Sequence, residues 1–163
     1  MTDFCLVAAT FSQDGPMPEL HGHQDAGGSN LSPALEWRGA PSETQSFAVT
    51  MFDLDEPTGV GFVHWSLFNI PVNRTALPEG FTPGVWPDAS IEAGFTDWGN
   101  CRYGGPAPTP GSGPHRYLFT VYALDLVALH VEGQVTTYAM LQYLMRDHVI
   151  ATACLTGTYE VGS

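Results

Sequence analysis

The sequence predicts a mostly antiparallel β fold with a peripheral helix near its carboxyl end, and three observations carry that expectation. The apolar runs are short and rich in β-branched and aromatic residues. The 18 glycines and 13 prolines fall between those runs as punctuation, with no internal repeat or low-complexity tract. One segment carries a helical period, and it comes late, so strands and helices do not alternate as they do in a parallel α/β chain.

Taken in order, residues 4–10 are the first predicted strand, and residues 34–37 are a shorter candidate that stops before Gly39. Residues 45–55 and 62–70 are long apolar runs separated by the breaker Glu56-Pro57-Thr58-Gly59. Residues 90–96 are again a short candidate. Residues 115–125 emerge from a Gly/Pro-rich stretch, and residues 152–161 close the series. Between these last two, residues 136–148 put Tyr138, Leu141, Leu144, Met145 and His148 on one helical face, with threonines available to cap the start. Three loops, 14–30, 71–89 and 97–114, are too long and too rich in Gly and Pro to be plain connectors. Loops of that kind on a sheet scaffold usually shape a site.

Composition narrows the function. At 163 residues and 44% hydrophobic, the chain can bury one core of ordinary domain size, so residues 1–163 are expected to form one domain. Five basic residues against 17 acidic ones leave a net charge of −12, which repels a phosphate backbone; nucleic acid and anionic membrane surfaces are poor candidates as partners, and neither nucleic-acid binding nor integral membrane association is expected. Every basic residue is an arginine, so Schiff-base chemistry, pyridoxal phosphate anchoring and a P-loop lysine have no side chain to use, and no cofactor is expected. Cys5, Cys101 and Cys154 are odd in number and far apart, which suggests neither a zinc ribbon nor a disulfide scaffold but reduced thiols. The first residues lack a basic stretch and a long apolar run, so the expectation is a start without a signal peptide or membrane span, in a cytoplasmic protein.

Chemistry-bearing residues concentrate in two places. In Met51-Phe52-Asp53-Leu54-Asp55-Glu56-Pro57, Asp53 and Asp55 share parity, so a strand running through both would aim them at one face. The residues leave three readings open: an acid/base dyad, a set of hard-cation ligands, or anchors of a tight turn. In Phe62-Val63-His64-Trp65, strict alternation sets His64 opposite Val63 and Trp65, and a histidine in so apolar a strand is costly unless hydrogen-bonded or functional. The second place runs from Gly104-Gly105-Pro106 to His115-Arg116-Tyr117, where His115 and Tyr117 share a face and the glycines let backbone amides approach a bound anion.

Those motifs, in the order Ser29-Asn30-Leu31-Ser32-Pro33-Ala34-Leu35-Glu36-Trp37, Asp53-Leu54-Asp55-Glu56-Pro57, Phe62-Val63-His64-Trp65, Tyr103-Gly104-Gly105-Pro106, His115-Arg116-Tyr117 and Thr156-Gly157-Thr158-Tyr159, resemble the phosphatidylethanolamine-binding protein family, in particular its prokaryotic Raf-kinase-inhibitor-like branch. The resemblance runs from Phe4 to Tyr159. It implies two packed sheets, a large central antiparallel one and a smaller one, with a peripheral carboxyl-terminal helix and a small cavity for phosphate-like or carboxylate groups. It carries the ligand-binding residues onto Asp53, Asp55, His64, Trp65, Gly104, Gly105, Pro106, His115 and Tyr117, with no metal ligand among them, and implies a cis bond at Glu56–Pro57. Glu56 departs from the family's usual alanine and adds a third carboxylate beside the cavity.

Two function classes follow. The resemblance favours a binding or regulatory module that holds a small anionic or phosphorylated ligand while its loops touch a protein partner. The alternative is a small-molecule enzyme in which Asp53, His64 and His115 give acid/base assistance in a biosynthetic pathway, and the same three residues also resemble a two-histidine, one-carboxylate metal set. In either, protonated His64 and His115, the amides of Gly104 and Gly105, and Arg102 or Arg116 at the rim are the expected anion donors. Prokaryotic members often form homodimers, and the loop aromatics Phe81, Trp86, Phe95 and Trp98 would suit either such a face or the cavity wall.

Overall fold

A computed structural model describes residues 3–85, 90–131 and 136–163. In chain order its strands are β1 (Cys5–Ala8), β2 (Gly15–Pro16), β3 (Leu35–Arg38), β4 (Ser46–Asp53), β5 (Phe62–Pro71), β6 (Ala76–Leu77), β7 (Glu92–Ala93), β8 (His115–Leu124) and β9 (Val149–Tyr159), with helix α1 (Tyr138–Met145) before the last. Strands β1-β3-β6 form a small antiparallel sheet, and β2-β9-β8-β4-β5-β7 a large one. The large sheet is antiparallel except where β2 lies parallel to β9 for two residues. Among the described residues the chain therefore adopts a mostly β fold of two sheets with one α-helix, as expected.

The central strands are apolar without alternation because both faces of the large sheet are covered, so each residue meets a packed layer. On one face Phe47, Val49, Met51, Trp65, Leu67, Tyr117, Phe119 and Val121 join a continuous cluster with Leu35 and Trp37 of the small sheet. On the other, Ala48, Phe68 and Leu124 pack with Leu129 and with Leu141 and Met145 of α1. Burying one such large side chain stabilises the fold by about 1.5–3 kcal/mol. Thr137 caps α1 by accepting the Met140 N–H at 3.2 Å, as the threonines at its start suggested.

The ends of elements differ from expectation for identifiable reasons. Strand β4 stops at Asp53, two residues early, because the Asp53 carboxylate takes the N–H groups of Asp55 and Glu56 and turns the chain out of the ladder. The Glu56–Pro57 bond is trans, against the cis bond that the resemblance implied: no cis peptide occurs among the described residues. The turn closes without one, through those two bonds and Thr58 N–H to Glu56 O at 2.8 Å. Strand β5 slips register against β4 between Met51↔Trp65 and Phe52↔Val63, so His64 is the extra residue of a β-bulge. Among the described residues no helix is long and apolar enough to cross a membrane.

Candidate functional site

Three adjacent strands bring the site together at one end of the large sheet. Register pairs Asp53 of β4 with Tyr117 of β8 and with Phe62 of β5, which sets these side chains on one face. His115 follows Tyr117 by parity, and the bulge aims His64 the same way. The result is a cavity of about 180 Å³ lined by Asp53, Glu56, Phe62, His64, Trp98, Ala107 and Tyr117.

Asp53 is 1% exposed, and its carboxylate is fully engaged. Oδ1 accepts the N–H groups of Asp55 (2.8 Å) and Glu56 (3.0 Å), while Oδ2 stands 2.8 Å from His115 Nδ1. The carboxylate can only accept, so His115 carries its hydrogen on Nδ1, and Nε2 faces Ser112 Oγ at 3.3 Å. Glu56 Oε2 lies 3.7 Å from the same Nδ1.

His64 is equally constrained. Nδ1 is 2.7 Å from the Gly104 carbonyl, an acceptor only, so Nδ1 carries the hydrogen and the lone pair sits on Nε2, on the far side of the ring. Burial pushes its pKa down to about 4, against the raising effects of the Gly104 carbonyl and the charges of Asp53 and Asp97, so the ring is neutral at pH 7. Trp98 Nε1 approaches that Nδ1 at 3.3 Å, but both atoms bear hydrogens, which leaves the indole N–H with no lone pair to meet. The Tyr117 hydroxyl, on a ring packed edge-on to His64 at 5.2 Å, is buried and makes no well-formed hydrogen bond. Burial, then the negative charge of Asp53 and the pull of that carboxylate on the hydroxyl hydrogen, raises its pKa and keeps it protonated.

The long loops clasp this arrangement. The ring of His23 stacks on Trp98 at 4.0 Å, the backbone N–H of His23 bonds the Pro106 carbonyl, and Asn30 Oδ1 accepts the Gly105 N–H at 2.7 Å. Gly104 and Gly105 are glycines for steric reasons: a Cβ would stand 2.0 Å from Trp98 Cδ1 in the first case and 2.1 Å from the His21 carbonyl oxygen in the second. His21, wholly buried, bridges Thr10 Oγ1 and the Leu31 carbonyl, and burial lowers its pKa; it holds the loop rather than facing the cavity.

The geometry brings together Asp53, His64 and Tyr117, with His115 behind Asp53, and parts from the sequence reading at several residues. Asp55 faces away, because parity ended with the strand at Asp53; its carboxylate takes Arg116 Nε at 3.0 Å and Nη2 at 2.9 Å. That pair also removes Arg116 from the rim. Trp65 is outside the cavity lining: the bulge sets it opposite Met51, on the same face as Asp53 against the expected alternation, and it packs edge-on against Tyr103 at 5.4 Å. Trp65 lines instead a neighbouring cavity of about 180 Å³ with Phe81, Arg102 and Tyr103. The amides of Gly104 and Gly105 are not available to an anion, since they already donate to the His64 carbonyl and to Asn30. Nor is His64 a standing cation. Of the four loop aromatics, Trp98 lines the cavity, Phe81 is core, Phe95 is bridged to Thr137, and Trp86 lies outside the described residues. Phe62 and Ala107 were missed, and for Phe62 the pairing with Asp53 is the signal that would have found it.

Comparison with known proteins agrees over the length of the chain. Residues 7–160 match the sequence profile described as phosphatidylethanolamine-binding protein. UPF0098 protein YbhB of Escherichia coli is 36% identical over 159 residues, covering 95% of this chain and 99% of its own. A UPF0098 protein of Methanothermobacter thermautotrophicus is 39% identical over 158 residues, with coverage of 96% and 99%. The crystal structure of E. coli YbcL, described as a new member of the mammalian PEBP family, superposes with a TM-score of 0.91 at 34% identity, covering 98% of this chain and 99% of that one. A phosphatidylethanolamine-binding protein from Plasmodium vivax shares the fold at a TM-score of 0.55 and 16% identity, over 96% of this chain and 85% of its own.

Proposed function

The chain belongs to the phosphatidylethanolamine-binding protein family, and within it we propose a small-anion binding protein that takes a phosphorylated head group or a carboxylate into the cavity bounded by Asp53, His64, Trp98 and Tyr117. One observation carries this reading: the buried Tyr117 hydroxyl, which makes no well-formed hydrogen bond, borders the same cavity as the indole N–H of the half-buried Trp98 and the unbonded Nε2 of His64. A buried hydroxyl without a well-formed bond costs free energy that an anionic oxygen would recover.

In the metal-free protein the anion must bring its own counter-charge. No arginine lines the cavity, two carboxylates do, and His64 is neutral at pH 7. An oxyanion beside Nε2 favours the protonated ring, so binding draws a proton onto His64 and turns it into a third donor. By linkage, affinity falls as pH rises past the histidine's ligand-bound pKa, by up to about tenfold per pH unit.

Titration of phosphoethanolamine and of acetate at pH 6 and pH 8 tests the proposal. Affinity is expected to be higher at pH 6, and Tyr117→Phe and His64→Ala are each expected to weaken it by about tenfold or more, with stability changed by about 1 kcal/mol in the first. Equal affinity at both pH values and in both variants contradicts it.

A further inference from the structure

We infer that Asp53, Glu56 and His115 form a site for one divalent first-row transition metal ion, with an open coordination position facing the cavity. The three candidate ligand atoms, Asp53 Oδ2, Glu56 Oε2 and His115 Nδ1, all lie within 4.8 Å of one another. Two of the separations are already close to ligand spacing, 2.8 Å from Nδ1 to Asp53 and 3.7 Å from Nδ1 to Glu56. One imidazole with two carboxylates is a donor set that suits zinc and its neighbours, and three protein ligands with a vacant fourth position is the arrangement of reactive rather than structural metal sites.

The groups around the ligands are set as a metal site requires. The second oxygen of Asp53 is fixed by the backbone N–H groups of Asp55 and Glu56, which leaves Oδ2 for an ion. On the other side of the imidazole, Ser112 Oγ stands 3.3 Å from Nε2. When the ion takes Nδ1, the ring hydrogen moves to Nε2 and Ser112 Oγ accepts it, so no net proton need leave the imidazole. Glu56 sits on the turn after β4 with its side chain 30% exposed, and it can close the remaining gap by rotating.

A second observation points to an occupant. Tyr117 is 0% exposed, its hydroxyl makes no well-formed hydrogen bond, and it lines the same cavity as Asp53 and Glu56. With Asp53 Oδ2 given to an ion, that hydroxyl is placed to meet an ion-bound water or ligand oxygen. The charge pattern agrees. Arg116, which could have neutralised this end of the sheet, is committed to Asp55.

The test uses the metal alone, so it stands apart from the anion reading. The full-length chain, stripped with chelator, is titrated with Co2+ and with Zn2+, following the visible cobalt absorption, binding heat and Tm. One equivalent is expected to bind, with a cobalt spectrum of low-coordinate geometry and a rise in Tm. Glu56→Gln and Asp53→Asn are expected to weaken binding by about tenfold or more, as loss of a ligand or its support does. Glu56→Gln changes a partly exposed turn residue, so its unliganded Tm serves as the folding control. Absence of saturable binding up to millimolar metal overturns the site. So does binding that both variants leave unchanged, which would assign it to the surface pairs His23–Asp25 and His148–Asp125.

Discussion

His64 sets how the protein responds to acid. Its pKa is held near 4 in the fold against 6.5 in an unfolded chain, so the folded state binds fewer protons between those values. Its contribution is complete above pH 6.5 and is lost as pH falls toward 4, on the order of 3 kcal/mol by the lower end. His21, also lowered by burial, acts in the same direction. Urea unfolding at pH 7 and near pH 4.5 is expected to show a smaller loss in His64→Gln than in the parent; equal losses would mean that another group dominates. Tyr117→Phe is expected to leave stability unchanged or raise it by about 1 kcal/mol, because the hydroxyl it removes is buried and makes no well-formed hydrogen bond, and to weaken ligand binding. Residue types and parity made Asp53, His64 and Tyr117 legible. Asp55 was misplaced because parity holds only while the strand lasts. Gly104 and Gly105 show that a glycine signals close approach without saying to what: here the near groups are Trp98 and His21, not a ligand.

At the level of elements, the bulge in β5 and the loop carrying Gly104 act as one clamp on His64. The bulge delivers the ring, and the Gly104 carbonyl fixes its tautomer. Gly104→Ala places a Cβ inside the indole of Trp98, so this loop must shift. A destabilisation of about 1–3 kcal/mol is expected in thermal unfolding, together with loss of the His23–Trp98 stacking signature in near-ultraviolet circular dichroism. A variant indistinguishable from the parent would show that the loop is not held against Trp98. The long strands were readable because runs such as residues 115–125 are apolar and bounded by breakers. Strands β2 and β6, of two residues each, carry no period to read, and a bulge adds one residue without a signature in composition.

For the molecule as a whole, a net charge of −12 surrounds a cavity proposed to take an anion. Mutual repulsion is screened as the Debye length shrinks from about 30 Å at 0.01 M salt to about 8 Å at 0.15 M. Acetate affinity is therefore expected to rise over that range, opposite to a site built on surface cations; a fall would place the anion at an arginine instead. The central claim is that binding an anion here puts a proton on His64. Calorimetry of sulfate binding at about pH 5.5, in two buffers of different ionisation enthalpy, measures that proton directly, since sulfate itself does not titrate in this range. Net uptake approaching one proton per sulfate, lost in His64→Gln, is the expected result. Sulfate binding of the same strength with no proton uptake contradicts the claim.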